Sequence, residues 1–187
     1  MAGVVIEDYD PAWPRQFEEL AAGLRRHLGD EVVRIDHIGS TAVPGLAAKD
    51  VIDVQVTVAD LAQADRLAPA FERAGYRPTP YRHDHRPAGD ASDPGLWEKR
   101  LWQSPPGARR ANIHVRVAGW PNQRYALLFR DYLRARPHAA AAYARLKQGL
   151  AERFGNDLAA YTDLKDSACD LIIAAAEDGA ATGRAGR

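Results

Sequence analysis

Three observations predict an α+β fold. Two β-branched runs, EVVRIDHI (31–38) and VIDVQVTV (51–58), bracket a Gly-Ser turn. A second pair of strand-like segments follows at 96–103 and 111–118, and beyond Pro121 the apolar residues recur only at helical spacing. The expected architecture is a mixed sheet flanked by helices, with the C-terminal helical segment packed on it because its apolar stripes need cover. One domain is expected over residues 1–178, with a small, polar, disordered tail over 179–187.

Each element has a local signature. Residues 10–28 read as a helix, because Trp13, Phe17, Leu20, Leu24 and Leu28 fall on one face. Asp10 is placed as its N-cap, Pro11 at its first position and Gly29 at its end. The run 51–58 is strongly β-branched, and a period of two puts Asp53 and Gln55 on one face of it. Asp60 to Ala74 reads as a helix closed by Gly75, and residues 80–96, rich in His, Asp, Pro and Gly, read as a loop. The strands at 96–103 and 111–118 are joined by the turn Ser104-Pro105-Pro106-Gly107. Three helices are then expected, on Tyr125, Leu128, Phe129, Tyr132 and Leu133, on Tyr143, Leu146 and Leu150, and on Leu158 through Ile172.

Composition narrows the function classes. The 187 residues carry a formal net charge of zero, which gives no bulk attraction to nucleic acid or to a membrane surface. No apolar run approaches the ~18 residues of a membrane span, and the N-terminus lacks a signal-peptide pattern. A cytoplasmic protein is expected. Cys169 is the one cysteine, which excludes an intrachain disulfide and a cysteine-cluster metal site. Arginine far outnumbers lysine; the four lysines are Lys49, Lys99, Lys147 and Lys165, and composition alone gives them no role.

The chemistry concentrates in HIGSTAVPGLAAKDVIDVQV, residues 37–56. A Gly-Ser turn before a strand that carries Asp is the order of a nucleotidyl-transfer site. Glycine lets backbone N–H groups approach phosphates, and carboxylates on one strand face supply hard oxygen ligands for a cation. One ligand is altered, since Gln55 stands where a second carboxylate is expected. An amide is a neutral ligand and no general base.

The same run resembles the hallmark of the GrpB family, also called UPF0157. The opening VVIEDYDPAWPRQFEELAAGL, the central KRL and NIHVRV, and the later FRDYLRARPHAAAAYARLKQGLA match that pattern in order, so the resemblance covers nearly the whole chain. It implies a nucleotidyltransferase-like fold. It also implies kinship with a domain that, in some bacteria, is fused to dephospho-coenzyme A kinase. Asp50 departs from the family pattern, which more often has proline there.

The expected pocket is walled by His37, Asp53, His114 and Arg100 or Arg116, with Asp53 and Gln55 pointing into one cleft beside Gly39 and Ser40. Asp53 and His114 are the candidate catalytic residues. His37, Gly39, Ser40, Thr41, Lys49, Gln55, Arg100 and Arg116 are the candidates for holding phosphate or substrate, with Lys99 the alternative to Arg100. Asp53, Gln55 and His114 are the candidate metal ligands, for at most one divalent cation, Mg²⁺ or, given a histidine ligand, Mn²⁺. His83-Asp84-His85 lacks a third partner for a metal, and Lys165 reads as an exposed helix lysine. Two functions fit. One is transfer of a nucleoside monophosphate from an NTP to an acceptor. The other is a module that binds a nucleotide or another small acidic metabolite without turnover, which Gln55 favours.

Overall fold

The structure is a computed structural model that describes residues 3–185, with side chains to Gly179. Helix α1, Trp13–Leu28, starts at the first residue of the apolar pattern, two residues after the expected first position, Pro11. Asp10 caps the preceding turn instead, accepting from the Ala12 amide at 2.8 Å. Gly29, at φ +68°, ends the helix. Strand β1, Arg34–Ile38, leads through Gly39 and a short 3-10 turn, Ser40–Ala42, towards β2, Ile52–Val58. The single helix expected at 60–74 is two, α2 (Leu61–Arg66) and α3 (Ala68–Arg73). Pro69 lacks the N–H that a continuous helix needs there, and its ring crowds the preceding turn.

Strand β3 is the two-residue Arg77–Pro78, too short to leave a periodic signal. Strand β4 spans Arg100–Gln103, because Pro94–Trp97 forms a 3-10 turn where the strand was expected to begin. Strand β5 is Ala111–Val117, followed by α4 (Pro121–Ala135), α5 (Pro137–Phe154) and α6 (Leu158–Ala185). The tail expected to be disordered from residue 179 is helical to Ala185. Alanines at 174–176, 180 and 181 extend a helix already nucleated on the core, and propagation costs far less than nucleation. Residues 186 and 187 of that expected tail lie outside the described residues.

The sheet order is β1-β2-β5-β4-β3, with β2 and β5 parallel and the other pairs antiparallel. Its two faces differ sharply. Ile52, Val54, Val56 and Val58, level with Ala111, Ile113, Val115 and Val117, pack with Trp13, Leu24 and Phe71 of α1 and α3 into the main core. The opposite face carries Asp53, Gln55 and Thr57 level with Asn112, His114 and Arg116. The helical segment covers that polar face. A second apolar cluster joins Val43 and Leu46, from the β1–β2 connection, to Phe129, Leu133, Tyr143 and Ile173. Arg130 also donates to the His37 carbonyl at 3.0 Å, and Arg134 to that of Ala42 at 2.8 Å. The architecture is therefore α+β, a mixed sheet flanked by helices, with the C-terminal helices packed on the sheet. No helix among the described residues is long and apolar enough to cross a membrane.

Candidate functional site

The polar sheet face and the helices that cover it enclose a cavity of about 500 Å³. Asp53, near the start of β2, pairs with Ile38 at the end of β1 and so lies beside Gly39. A Cβ on Gly39 would lie 2.6 Å from Asp53 Oδ2, and its φ is +70°, so only glycine fits between β1 and that carboxylate. Asn112, level with Asp53 on β5, donates to Asp53 Oδ1 at 2.9 Å. His114 Nε2 stands 3.7 Å from the same oxygen, an electrostatic contact longer than a hydrogen bond. Burial would raise the Asp53 carboxyl, but His114, Asn112 and Arg116 together hold it below its ordinary value.

Behind His114 is a tight charge network. Arg116 donates to Asp84 through Nε (2.8 Å) and Nη2 (2.9 Å), and Lys99 donates to Asp84 as well. Asn122 Nδ2 adds a contact at 3.2 Å. Burial of Asp84 is overridden by Arg116 and Lys99, which keep it ionised well below the usual carboxylate range. His114 Nδ1 sits 3.2 Å from Arg116 Nη2 and 3.4 Å from Lys99 Nζ. Two obligate donors there assign Nδ1 as the acceptor and leave the proton on Nε2, facing Asp53. Burial, then Lys99 and Arg116, lower the His114 pKa to about 4, so the ring is neutral.

The opposite wall comes from the helices and the β1–β2 connection. Lys49 lies 4.4 Å from the centre of the Tyr161 ring. Lys147, buried on α5, donates to the Ala47 carbonyl and lies 4.9 Å from the Tyr143 ring centre. Lys165 on α6 pairs with Asp166 and approaches Cys169 Sγ at 3.9 Å. Tyr143 Oη and Cys169 Sγ are 3.3 Å apart. Burial pushes the Cys169 thiol up, so it stays neutral. All four lysines of the chain line this one cavity, and Arg116 is the one arginine lining it among the described residues.

Of the residues singled out from sequence, Gly39, Ser40, Thr41, Lys49, Asp53, His114 and Arg116 line the cavity. Three do not. His37 is level with Val54, so its ring lies on the apolar side of the sheet. There it stacks on Phe17 at 4.6 Å, with Nε2 3.0 Å from Thr41 Oγ1, and burial lowers its pKa to about 4. Gln55 shares the face of Asp53 but is fully buried beneath the cavity. Its Oε1 accepts from Arg116 Nη1 at 2.8 Å, and its Nε2 donates to the Gln123 carbonyl at 3.3 Å. Arg100 is level with Val115, and hence on the core side, where it pairs with Asp65 and Glu98. Its neighbour Lys99 faces the cavity.

Of the candidate metal ligands, Asp53 and His114 both line the cavity, whereas Gln55 is bonded to Arg116 and to the Gln123 carbonyl. Gln55 is consumed by the fold, and the His114 nitrogen nearest Asp53 carries a proton. Among the described residues no three His, Cys, Asp or Glu side chains are grouped to hold a cation, the His83-Asp84-His85 run included. His85 contacts Asp170 at 3.0 Å instead. Asp50 joins no site either; it binds Arg109 and accepts from Trp13 Nε1 at 2.8 Å.

Sequence reasoning missed Lys147, Lys165, Asp84, Asn112 and Asn122. The available signal was the distribution of basic residues. In a chain whose surface cations are almost all arginine, a retained lysine marks a place that suits a compact ammonium.

The GrpB protein family profile matches residues 3–175. A dephospho-CoA kinase of Mycolicibacterium paratuberculosis is 41% identical over 175 residues, which span 84% of this chain and 42% of the kinase. The chain thus covers less than half the length of that relative. A UPF0157 protein of Halalkalibacterium halodurans is 33% identical over 92% of this chain and 82% of its own length. The crystal structure of conserved protein GrpB from Enterococcus faecalis superposes with a TM-score of 0.74 at 33% identity, covering 92% of this chain and 96% of that one. The MgGTP-bound Cid1 poly(U) polymerase superposes with a TM-score of 0.50 at 16% identity, over 79% of this chain and 45% of that one, a likeness of fold alone.

Proposed function

The chain belongs to the GrpB family, and from that premise we propose that its cavity binds a nucleotide or another phosphorylated small metabolite directly, without the two-cation chemistry of nucleotidyl transfer. One observation carries the reading. Five basic side chains, Lys49, Lys99, Lys147, Lys165 and Arg116, line the cavity against three carboxylates, Asp53, Asp84 and Asp166. Asp84 is already saturated by Lys99 and Arg116. The surplus is cationic, which suits an anion and opposes a second metal ion.

Asp53 supplies one carboxylate with 30% of its side chain exposed, an acceptor for a hydroxyl or amino group of the ligand. Asn112 fixes its orientation, and His114 presents its N–H beside it. Two-metal phosphoryl chemistry needs ions about 4 Å apart that share carboxylate ligands. With Gln55 withdrawn and His114 protonated on its inner nitrogen, the donors around Asp53 do not fit that arrangement.

A thermal-shift and calorimetric panel of NTPs, coenzyme A precursors and simple phosphomonoesters tests the proposal, each with EDTA and with Mg²⁺ or Mn²⁺. Stabilisation by phosphorylated compounds that persists in EDTA is expected; at a ligand concentration of about 100 Kd it amounts to roughly 2.7 kcal/mol. Absence of binding throughout the panel overturns the reading. So does Mg²⁺-dependent NTP turnover at roughly 1 s⁻¹ or faster, which restores nucleotidyl transfer.

A further inference from the structure

We propose that Lys49, Lys147 and Lys165 form a metal-independent subsite for the terminal phosphate of that ligand, on the helical wall of the cavity. The proposal rests on the reading that the cavity takes a phosphorylated compound, and it adds where the anion sits and what holds it.

The three ammonium groups come from three separate segments, the β1–β2 connection, α5 and α6, and meet in one cavity. Against them stands one directly paired carboxylate, Asp166, which binds Lys165. Lys147 is 3% exposed, and among the described residues it makes no ion pair; it meets the Ala47 carbonyl and the Tyr143 ring. Lys49 rests on the Tyr161 ring. With Lys147 protonated, as a bound anion would hold it, three cations and one carboxylate leave an excess of about two positive charges, close to the −1.5 to −2 of a phosphomonoester at neutral pH. A buried cation without a counter-ion is costly, and a ligand anion removes that cost at the moment of binding.

Lysine suits the position better than arginine. Three compact ammonium groups, each with rotatable donors, can close round the tetrahedral oxygens of one phosphate. The confinement of the chain's lysines to this cavity has a physical reason on that account.

The groups that face Lys147 also link binding to protons. Tyr143 comes from its own helix, Lys165, Asp166 and Cys169 from α6, Lys49 and the Ala47 carbonyl from the β1–β2 connection, and Asp53 from β2. Burial lowers the Lys147 pKa to about 7, reinforced by Lys165 and Lys49 and opposed by Asp53. An anion beside the amine raises that value, so the bound state holds more protons than the free state. The contribution of Lys147 to affinity is then greatest below about pH 7. It falls as pH climbs from the free value to the raised, bound one.

Isothermal titration of the full chain with inorganic pyrophosphate in EDTA tests the subsite. Wild type is expected to bind without a divalent cation. Lys147→Met and Lys49→Gln should each weaken binding roughly tenfold or more, as losses of charged hydrogen-bond partners do. Titration at pH 7 in buffers of different ionisation enthalpy should show proton uptake in wild type. That uptake should be smaller in Lys147→Arg, which keeps the charge but cannot lose its proton; pyrophosphate's own ionisation cancels in the comparison. If Lys147→Met does not fold, Lys49→Gln and Lys147→Arg still decide the matter.

Pyrophosphate binding that requires Mg²⁺, or that is unchanged in Lys49→Gln with proton uptake unchanged in Lys147→Arg, overturns the subsite. The two proposals fail separately. Lysine-dependent pyrophosphate binding with no nucleotide or metabolite bound sinks the proposed function and keeps the subsite. Nucleotide binding indifferent to all the lysine substitutions does the reverse.

Discussion

The sheet wall and the helical wall of the cavity are both rich in charge, but they spend it differently. On the sheet side each strong charge is answered within the protein. Asp84 takes Lys99 and Arg116, Arg116 also takes Gln55, and Asp53 takes Asn112. On the helical side Lys49 and Lys147 lean on aromatic rings and a backbone carbonyl. A saturated network fixes geometry and stabilises the fold, whereas unanswered charge is held in readiness for something that arrives. Substitutions on the two walls should therefore have opposite signatures, one mainly in stability and the other mainly in binding.

The largest effect is expected for Asp84→Leu. It strands Lys99 and Arg116 without their shared carboxylate, and breaking a buried ion pair from one side costs about 3–5 kcal/mol. Urea unfolding at pH 7 measures it. The pH dependence has a definite sign. The folded-state Asp84 pKa is depressed below its ordinary value of 3.8, so its stabilisation is complete above about that pH and is lost as pH falls further. An acid-unfolding midpoint unchanged in Asp84→Asn would show that the network is not stabilising.

Gly39→Ala comes next, at roughly 2 kcal/mol. The new methyl must displace the Asp53 carboxylate while the backbone keeps a left-handed φ. Equal denaturant midpoints for variant and wild type would contradict that close approach. Gln55→Glu should cost about 1–3 kcal/mol, because a buried carboxylate would oppose the Gln123 carbonyl that now accepts from the amide. It should create no Mg²⁺ site, and calorimetric Mg²⁺ binding in this variant would refute the account of a side chain sealed beneath the cavity.

The smallest effect on folding belongs to the helical wall. Lys147→Met should leave the unliganded protein within about 1 kcal/mol of wild type, on the stabilising side, since it removes an unanswered buried cation. Here the linkage runs the other way. The Lys147 pKa is lowered from 10.5 to about 7, so its penalty is complete below the lower value and is relieved as pH rises towards the upper. The advantage of the methionine variant should therefore shrink between those two pH values, which chemical denaturation at a series of pH values can follow. A loss of several kcal/mol would mean that Lys147 belongs with the saturated network.

The difference between the walls also explains what was legible in the sequence. The sheet wall follows from a period of two. Asp53 and Gln55 share a face, as do His114 and Arg116, and both pairs obey that rule in the structure. Where sequence left a choice of parity, the register decided it. The pairing of His37 with Val54 sends its ring to the apolar side, and the pairing of Arg100 with Val115 sends Arg100 away and turns Lys99 inward. Neither register can be read from a strand considered alone. Pro69, by contrast, stood in plain view as the break in the helix at 60–74.

The helical wall was harder to read because it depends on how α5 and α6 lie across the sheet. Lys147 sits among residues whose spacing announces only an amphipathic helix, and Lys165 looked exposed for the same reason. Which helix face meets the sheet is settled by contacts such as those of Val43 and Leu46 with Phe129 and Tyr143. Helical periodicity does not encode those partners.

The gathering of every ε-amine into one cavity has a practical side. Apart from an α-amino terminus, the outer surface offers nothing to succinimidyl esters, aldehydes or other amine-directed reagents, since its cations are guanidinium groups. A fluorophore or resin attached by amine chemistry would go to the terminus or into the cavity itself. Acylation of the lysines becomes a footprint of cavity occupancy, readable by mass spectrometry against a nearly silent background.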